Sequence, residues 1–218
     1  MTDLKAEALL RRAYALDSAN PEETRALYRD WAQTYDGTMI DGLGYVSPQK
    51  IAALAAAHLS DRRAPILDVG CGTGLLAAYL AEQGFEAVDG LDYSAEMLAV
   101  AQSKGRIRQP FLRDLTQPLE LPLQTYAALV STGTFTHGHV DGSCLPALMD
   151  LLRADGLLVC TVHQDVWDEG GFGTVLEGMV DAQRCEIVSR EPGRLFENDR
   201  EPTGWFLVAR RADLRGAR

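Results

Sequence analysis

The stretch from Pro65 to Gly74, Pro-Ile-Leu-Asp-Val-Gly-Cys-Gly-Thr-Gly, constrains this chain more than any other, together with its echo Gly90-Leu91-Asp92-Tyr93. Ile66 to Val69 reads as a short buried strand. It runs into a turn with glycine at 70, 72 and 74, and a helix follows at once with Leu75, Leu76, Tyr79 and Leu80 on one face. Strand, glycine turn and helix form a geometry that cradles nucleotides. Glycine takes dihedrals that a Cβ forbids and lets a ligand approach the main chain. The N–H groups at the helix start are expected to face that ligand.

The spacing narrows the ligand. A dinucleotide fingerprint needs G-x-G-x-x-G. Here the set is G-x-G-x-G, and Leu75 stands where the third dinucleotide glycine belongs. No Gly-Lys-Ser/Thr follows, so a phosphate-binding Walker loop is excluded. What remains is Asp68 near the end of strand 1, the tight turn, and Asp92 ending strand 2. This pattern resembles the class I S-adenosylmethionine-dependent methyltransferases. Two rivals stay open: a methyltransferase-like fold that binds S-adenosylmethionine or S-adenosylhomocysteine without turnover, and an NAD-dependent oxidoreductase on a related sheet.

The rest of the chain alternates strand and helix. Strands are predicted at 65–69, 86–91, 107–113, 126–131 and 156–162, and helices at 73–83, 94–104 and 143–153, the second capped by Ser94. Such alternation means a parallel sheet with helices on both faces. Residues 184–190 and 204–210 are strand-like, with no long helix between them, so they should pair antiparallel. The expected fold is α/β: a Rossmann-like, doubly wound, seven-stranded sheet of five parallel strands plus an antiparallel edge pair. Residues 1–60 read as an N-terminal helical cap, 61–212 as the core and 213–218 as a tail, all one domain. The cap would hold a helix over 4–16, a second one capped by Asn20 and carrying Leu27, Trp31 and Tyr35, a loop at 41–45, and a third helix capped by Ser47.

Composition bounds the partners. The net charge is −10, and the basic residues are scattered, which argues against nucleic acid. No apolar run is long enough to cross a membrane, and the first residues do not read as a signal peptide. Cys71, Cys144, Cys160 and Cys185 have no disulfide or metal-ligand spacing, so four reduced thiols, a cytoplasmic protein and no metal are expected.

The ligand of such a sheet lies outside the carboxyl ends of its strands. The resemblance implies S-adenosylmethionine as cofactor, with S-adenosylhomocysteine as product. It gives Asp92 the ribose hydroxyls, and Tyr93 and Met97 the flanks of the adenine. Asp114 and the Leu115 backbone would take the adenine edge, although Asp114 can equally cap its own loop. Asp68, Gly70, Cys71, Gly72 and Gly74 would surround the methionine moiety, with Ser131 or Thr132 at its amino group. The cap's aromatics Tyr28, Trp31, Tyr35 and Tyr45 would shelter the sulfonium, since aromatic faces attract cations where water is excluded; Tyr28 and Trp31 can equally be packing residues, whereas Tyr35 and Tyr45 stand beside glycine-bearing segments. Within the class, Tyr35-Asp36, then Tyr45 and Pro48, resemble the small group named after the Williams–Beuren chromosomal region. Two positions depart from many relatives: Ala127 where an Asp is common, and Ala154-Asp155-Gly156 in place of Pro-Gly-Gly.

The methyl acceptor, read as a small molecule, should lie beyond strand 4. There His137 or His139, backed by Asp141, could act as a general base. They could equally be exposed loop histidines, because methyl transfer is mainly positioning. His163 is a third candidate. Trp167, Phe172 and a hinge at Gly170-Gly171 could wall or lid the acceptor pocket.

Overall fold

The computed structural model describes residues 4–15, 21–136 and 139–213. At its centre β1 (Ile66–Val69) is buried on both faces, as its apolar run requires. It lies between β2 (Val88–Asp92) and β4 (Tyr126–Phe135), and β3 (Pro110–Leu112), β5 (Leu152–His163), β6 (Cys185–Gly193) and β7 (Gly204–Arg211) complete seven strands in the order β3-β2-β1-β4-β5-β7-β6. The first five run parallel, and β7 pairs antiparallel with both β5 and β6. This is the Rossmann-like sheet expected from the alternation. The reversal of order between β1 and β4 opens a crevice at the carboxyl ends of the strands.

Side chains alternate through the sheet. Leu67, Leu129, Leu158, Cys160 and Leu207 face one layer, while Ile66, Val130, Val159 and Val208 face the other. The first layer is closed by α7 (Leu145–Leu151), α8 (Gln164–Asp168) and α9 (Phe172–Asp181). The second is closed by α4 (Ser47–His58), α5 (Leu75–Glu82) and α6 (Ala95–Ser103). Ser94 caps α6 as expected, its Oγ accepting from the Met97 N–H at 3.2 Å. All four cysteines are buried free thiols. Among the described residues no helix is long and apolar enough to cross a membrane.

The N-terminal segment departs from expectation in detail. After α1 (Leu4–Tyr14) and α2 (Pro21–Trp31), the chain makes one turn, α3 (Tyr35–Gly37), and then a π-helical turn, Thr38–Gly42, which runs into the loop expected at 41–45. Leu27, Trp31, Met39, Leu43 and Tyr45 form a small apolar cluster of their own. The Asn20 cap lies outside the described residues. Ser47 does not cap α4: it is the first helical residue, and its hydroxyl donates to the Leu195 carbonyl at 3.1 Å. Leu195 belongs to the β6–β7 connection, which Asp199 ties together by accepting from the Leu195 and Phe196 N–H groups, each at 3.0 Å. Val46 N–H donates to Leu195 O and Glu197 N–H to Gly44 O. The cap is therefore stitched to the far edge of the sheet.

A second tether holds the cap to the glycine turn. Asp36 accepts from Thr73, from Lys104 Nζ at 3.0 Å and from Arg106 at 2.5 Å. Burial works to raise its pKa, but those hydrogen bonds outweigh it and hold the carboxyl below the ordinary range. A depressed folded pKa means stability that is present above the unfolded carboxylate value and lost as pH falls through the folded one. Asp36→Asn is expected to cost roughly 1–3 kcal/mol, the scale of charged hydrogen bonds. It should also flatten the acid limb of a melting-temperature profile below pH ~5. An unchanged acid limb in the variant would remove Asp36 from that role.

Candidate active site

The cleft sits where β1 and β4 diverge. Its floor is Gly70, Gly72, Leu91 and Asp92; Tyr93, Met97 and residues 113–116 make one wall; Thr132, Gly133 and Thr134 make the other; Tyr28, Tyr35, His139 and Val140 roof it. It holds about 990 Å³, counting space open to solvent.

Asp92 is the centre of the floor and only 7% exposed. One carboxylate oxygen accepts from the Gly72 N–H at 2.8 Å and the other from the Ser94 N–H at 2.9 Å. Burial raises its pKa, and these N–H donors offset part of the rise. The turn therefore works differently from the sequence expectation. Its N–H groups do not converge on a ligand: Gly70 and Cys71 both donate to the Leu91 carbonyl, Gly72 to Asp92, and Gly74 to the Cys71 carbonyl. The turn instead locks the end of β1 to the end of β2 and fixes the carboxylate. What it offers a ligand is space, since a Cβ on Gly72, at φ +53°, would meet nothing within 4 Å.

Tyr35, Gly70, Gly72, Asp92, Tyr93, Met97, Asp114, Leu115, Thr132 and His139 all line the cleft. Several sequence candidates do not. Asp68 is 1% exposed, beneath the turn; burial first and the Asp92 charge second raise its pKa, opposed by the Ala77 N–H in the first turn of α5. The Cys71 thiol is buried where a Cβ on Gly90 would come within 2.7 Å of it. Gly74 packs on Arg106. Ser131 is fully buried and donates to the Val69 carbonyl at 2.7 Å. Tyr45 lies further in, its ring against Phe196. His137 lies outside the described residues.

Asp114 does both things open to it. It lines the cleft, yet it accepts from the Thr116 N–H and hydroxyl at 2.9 and 2.7 Å and lies 3.9 Å from Arg25. Asp141 caps a 3₁₀ turn by accepting from Ser143 N–H at 2.8 Å. His139 instead shares a 2.8 Å hydrogen bond with the Tyr28 hydroxyl. Trp167 and Phe172 are core residues under β4 and β5, with Phe172 edge-on to Phe135, and they do not line this cleft. Gly171 starts α9 in a left-handed conformation. Arg113 and Thr116, which also line the cleft, were missed by the sequence reading, and the pairing of Tyr28 with His139 was not foreseen. Tyr28 stands on α2, 111 residues from His139, and no local signal joins them.

The methyltransferase domain family model matches residues 66–156. The chain is 36% identical over 157 residues to human methyltransferase-like protein 27, covering 71% of this chain and 63% of that one. It spans 42% of the length of two bacterial relatives. Two solved structures share the fold. One is a TehB-like S-adenosylmethionine-dependent methyltransferase from Corynebacterium glutamicum, with TM-score 0.63 and 22% identity, covering 86% of this chain and 99% of that one. The other is the Burkholderia thailandensis 1,6-didemethyltoxoflavin N1-methyltransferase with S-adenosylhomocysteine bound, with TM-score 0.61 and 22% identity, covering 87% of each. S-adenosylmethionine is the cofactor of this domain class. The cleft fits it on three counts: a buried carboxylate on the floor, open main chain at Gly72, and a Tyr93 hydroxyl with no hydrogen-bond partner among the described residues.

Proposed function

We propose that the chain is an S-adenosylmethionine-dependent methyltransferase acting on a small molecule. The observation that carries the reading is Asp92. The fold holds a desolvated carboxylate at the mouth of β2 with one N–H donor on each oxygen. A carboxylate can accept a diol through its remaining lone pairs. Met97, Leu91 and Leu115 offer an apolar slot for the adenine beside it. Tyr35 and Tyr28 offer ring faces to the sulfonium, while Gly70, Gly72 and Thr132 border the space left for the methionine portion. Membership of the Williams–Beuren-region group is part of the proposal, supported by Tyr35-Asp36, Tyr45 and Pro48.

S-adenosylmethionine, once bound, would supply an electrophilic methyl group for the acceptor's lone pair. The protein's part is to orient the acceptor, exclude water and take its proton. His139 stands in the roof, and the Tyr28 hydroxyl, both donor and acceptor, can follow either imidazole tautomer. A small acceptor is favoured by the net charge of −10, which gives a polyanion nothing to approach. A cytoplasmic setting is consistent with four free thiols.

Incubation with methyl-labelled S-adenosylmethionine and a fractionated cell extract tests this. Label should enter a low-mass product. His139→Ala should slow that reaction by about 10²–10⁴-fold, the range of general acid–base catalysis, at unchanged affinity for S-adenosylhomocysteine. Label confined to macromolecules would contradict the small-molecule reading. A wild-type rate in His139→Ala would remove the base.

A further inference from the structure

Beside the cofactor cleft, on the bank formed after β2 and β3, runs an open groove of about 1080 Å³, counting space open to solvent. Tyr93, Arg113 and Asp114 line both the cleft and the groove, whereas Arg25 and Arg29 of α2 line the groove alone. The two spaces therefore share one wall. Arg25 reaches across to that wall from α2. Its Nη2 is 3.9 Å from Asp114 Oδ2, and its guanidinium carbon stands 5.9 Å from the centre of the Tyr93 ring.

The parts of this wall are held unequally. Arg113 is pinned to the main chain, its Nε donating to the Leu119 carbonyl at 3.0 Å and its Nη1 to the Leu112 carbonyl at 2.9 Å. Asp114 is pinned through its other oxygen, which accepts from Thr116. The body of α2 is fixed as well. Leu27 and Trp31 are buried with residues of α1 and the π turn, and Tyr28 meets His139 at 2.8 Å. The Arg25–Asp114 contact is of another kind: long, with side chains 41% and 32% exposed. Such pairs add little to stability and weaken in salt.

We infer that Arg25 is the gate of the cofactor cleft. Its side chain, closing on Asp114 and Tyr93, separates the cleft from the groove, and S-adenosylmethionine enters and S-adenosylhomocysteine leaves by this opening while α2 stays in place. The inference rests on the cofactor reading above, which puts the adenine on the bank that Tyr93 and Asp114 help to form. A closed gate slows entry and exit alike, because the ligand meets the same barrier in both directions and only the open fraction of the protein can exchange it. A residue that merely touches the bound ligand slows exit alone.

The test measures association and dissociation rates of S-adenosylhomocysteine on the full chain by surface plasmon resonance, at low and at high salt, for the wild type, Arg25→Gln and Arg29→Gln. Arg25→Gln should raise both rates by about two- to fivefold, the Boltzmann factor of an exposed ion pair, with their ratio nearly unchanged. Salt should speed exchange in the wild type and not in Arg25→Gln, since it screens the pair. Arg29→Gln removes the same charge from the groove, where Arg29 pairs with Asp30 at 3.1 Å, and should leave both rates as they are. A rise confined to dissociation would make Arg25 a ligand contact and overturn the gate. So would unchanged rates in Arg25→Gln, or equal rises in the two variants, which would trace the effect to charge in the groove. No binding of S-adenosylhomocysteine by the wild type would contradict the cofactor reading, and the gate with it.

Discussion

Asp92→Asn binds S-adenosylhomocysteine roughly 2–4 kcal/mol more weakly than the wild type, a loss of about thirtyfold to a thousandfold, the scale of charged hydrogen bonds to two hydroxyls. The protein nevertheless melts within a few degrees of the parent. The two halves of this result come from one observation. Burial pushes the Asp92 pKa above its ordinary value, with only part of the rise offset by the Ser94 and Gly72 N–H groups. A carboxyl whose folded pKa is raised favours folding when protonated. That contribution is present below the unfolded pKa and lost as pH rises through the folded one. At neutral pH the buried charge is therefore a cost that the fold carries. Asparagine removes it and keeps an oxygen for Ser94, at the expense of the Gly72 contact. Calorimetric titration and melting, run on the same preparation, check both halves. In the wild type, affinity should also weaken as pH falls through the raised pKa, because the diol needs the ionised acceptor. A variant that melts far lower would make Asp92 a structural residue. One that binds normally would remove it from the site.

Gly70→Ala is expected to cost roughly 3–5 kcal/mol, combining overpacking with a left-handed backbone on a residue that carries a Cβ. Gly70 sits at φ +68°, and its Cβ would fall 2.0 Å from Thr134 Oγ1. That oxygen donates to the Val69 carbonyl at 3.0 Å, so the methyl would expel a hydrogen bond that ties β4 to β1. At about 2–4 °C per kcal/mol for a chain of this size, melting should fall by roughly 6–20 °C. Thr134→Ala in the same chain removes the nearest atom and should recover part of the loss. No recovery would mean that backbone strain dominates. Wild-type melting of the single variant would contradict the geometry of the turn.

The parts of the fold that could be read from sequence are those written locally. β1, its glycine turn and Asp92 stand within 30 residues, and Ser94 announces α6 by itself. The antiparallel pair β6–β7 followed from two strand-like runs with no room for a helix between them. α9 was overlooked although Phe172, Leu176 and Met179 recur at helical spacing and are all buried, because Gly170-Gly171 read as a hinge. The long-range parts were not legible. Asp36 was noted beside Tyr35, but its purpose needs Lys104 and Arg106, some 70 residues on. Tyr28 meets His139 only because α2 folds across the carboxyl end of the sheet. Leu195 and Phe196 hold Ser47 and Tyr45 from a connection that looked like plain turn. The glycines misled in one respect: their spacing suggested N–H groups turned to a ligand, whereas the Leu91 carbonyl and Asp92 consume them.

Calorimetric titration of the wild-type protein with S-adenosylhomocysteine, and separately with NAD, tests the central claim most directly. A single saturable site for S-adenosylhomocysteine, with no heat from NAD, is the predicted result. NAD binding would mean that the turn ending in Gly74 and Leu75 accepts a dinucleotide after all. Binding of neither would contradict the assignment of the cleft.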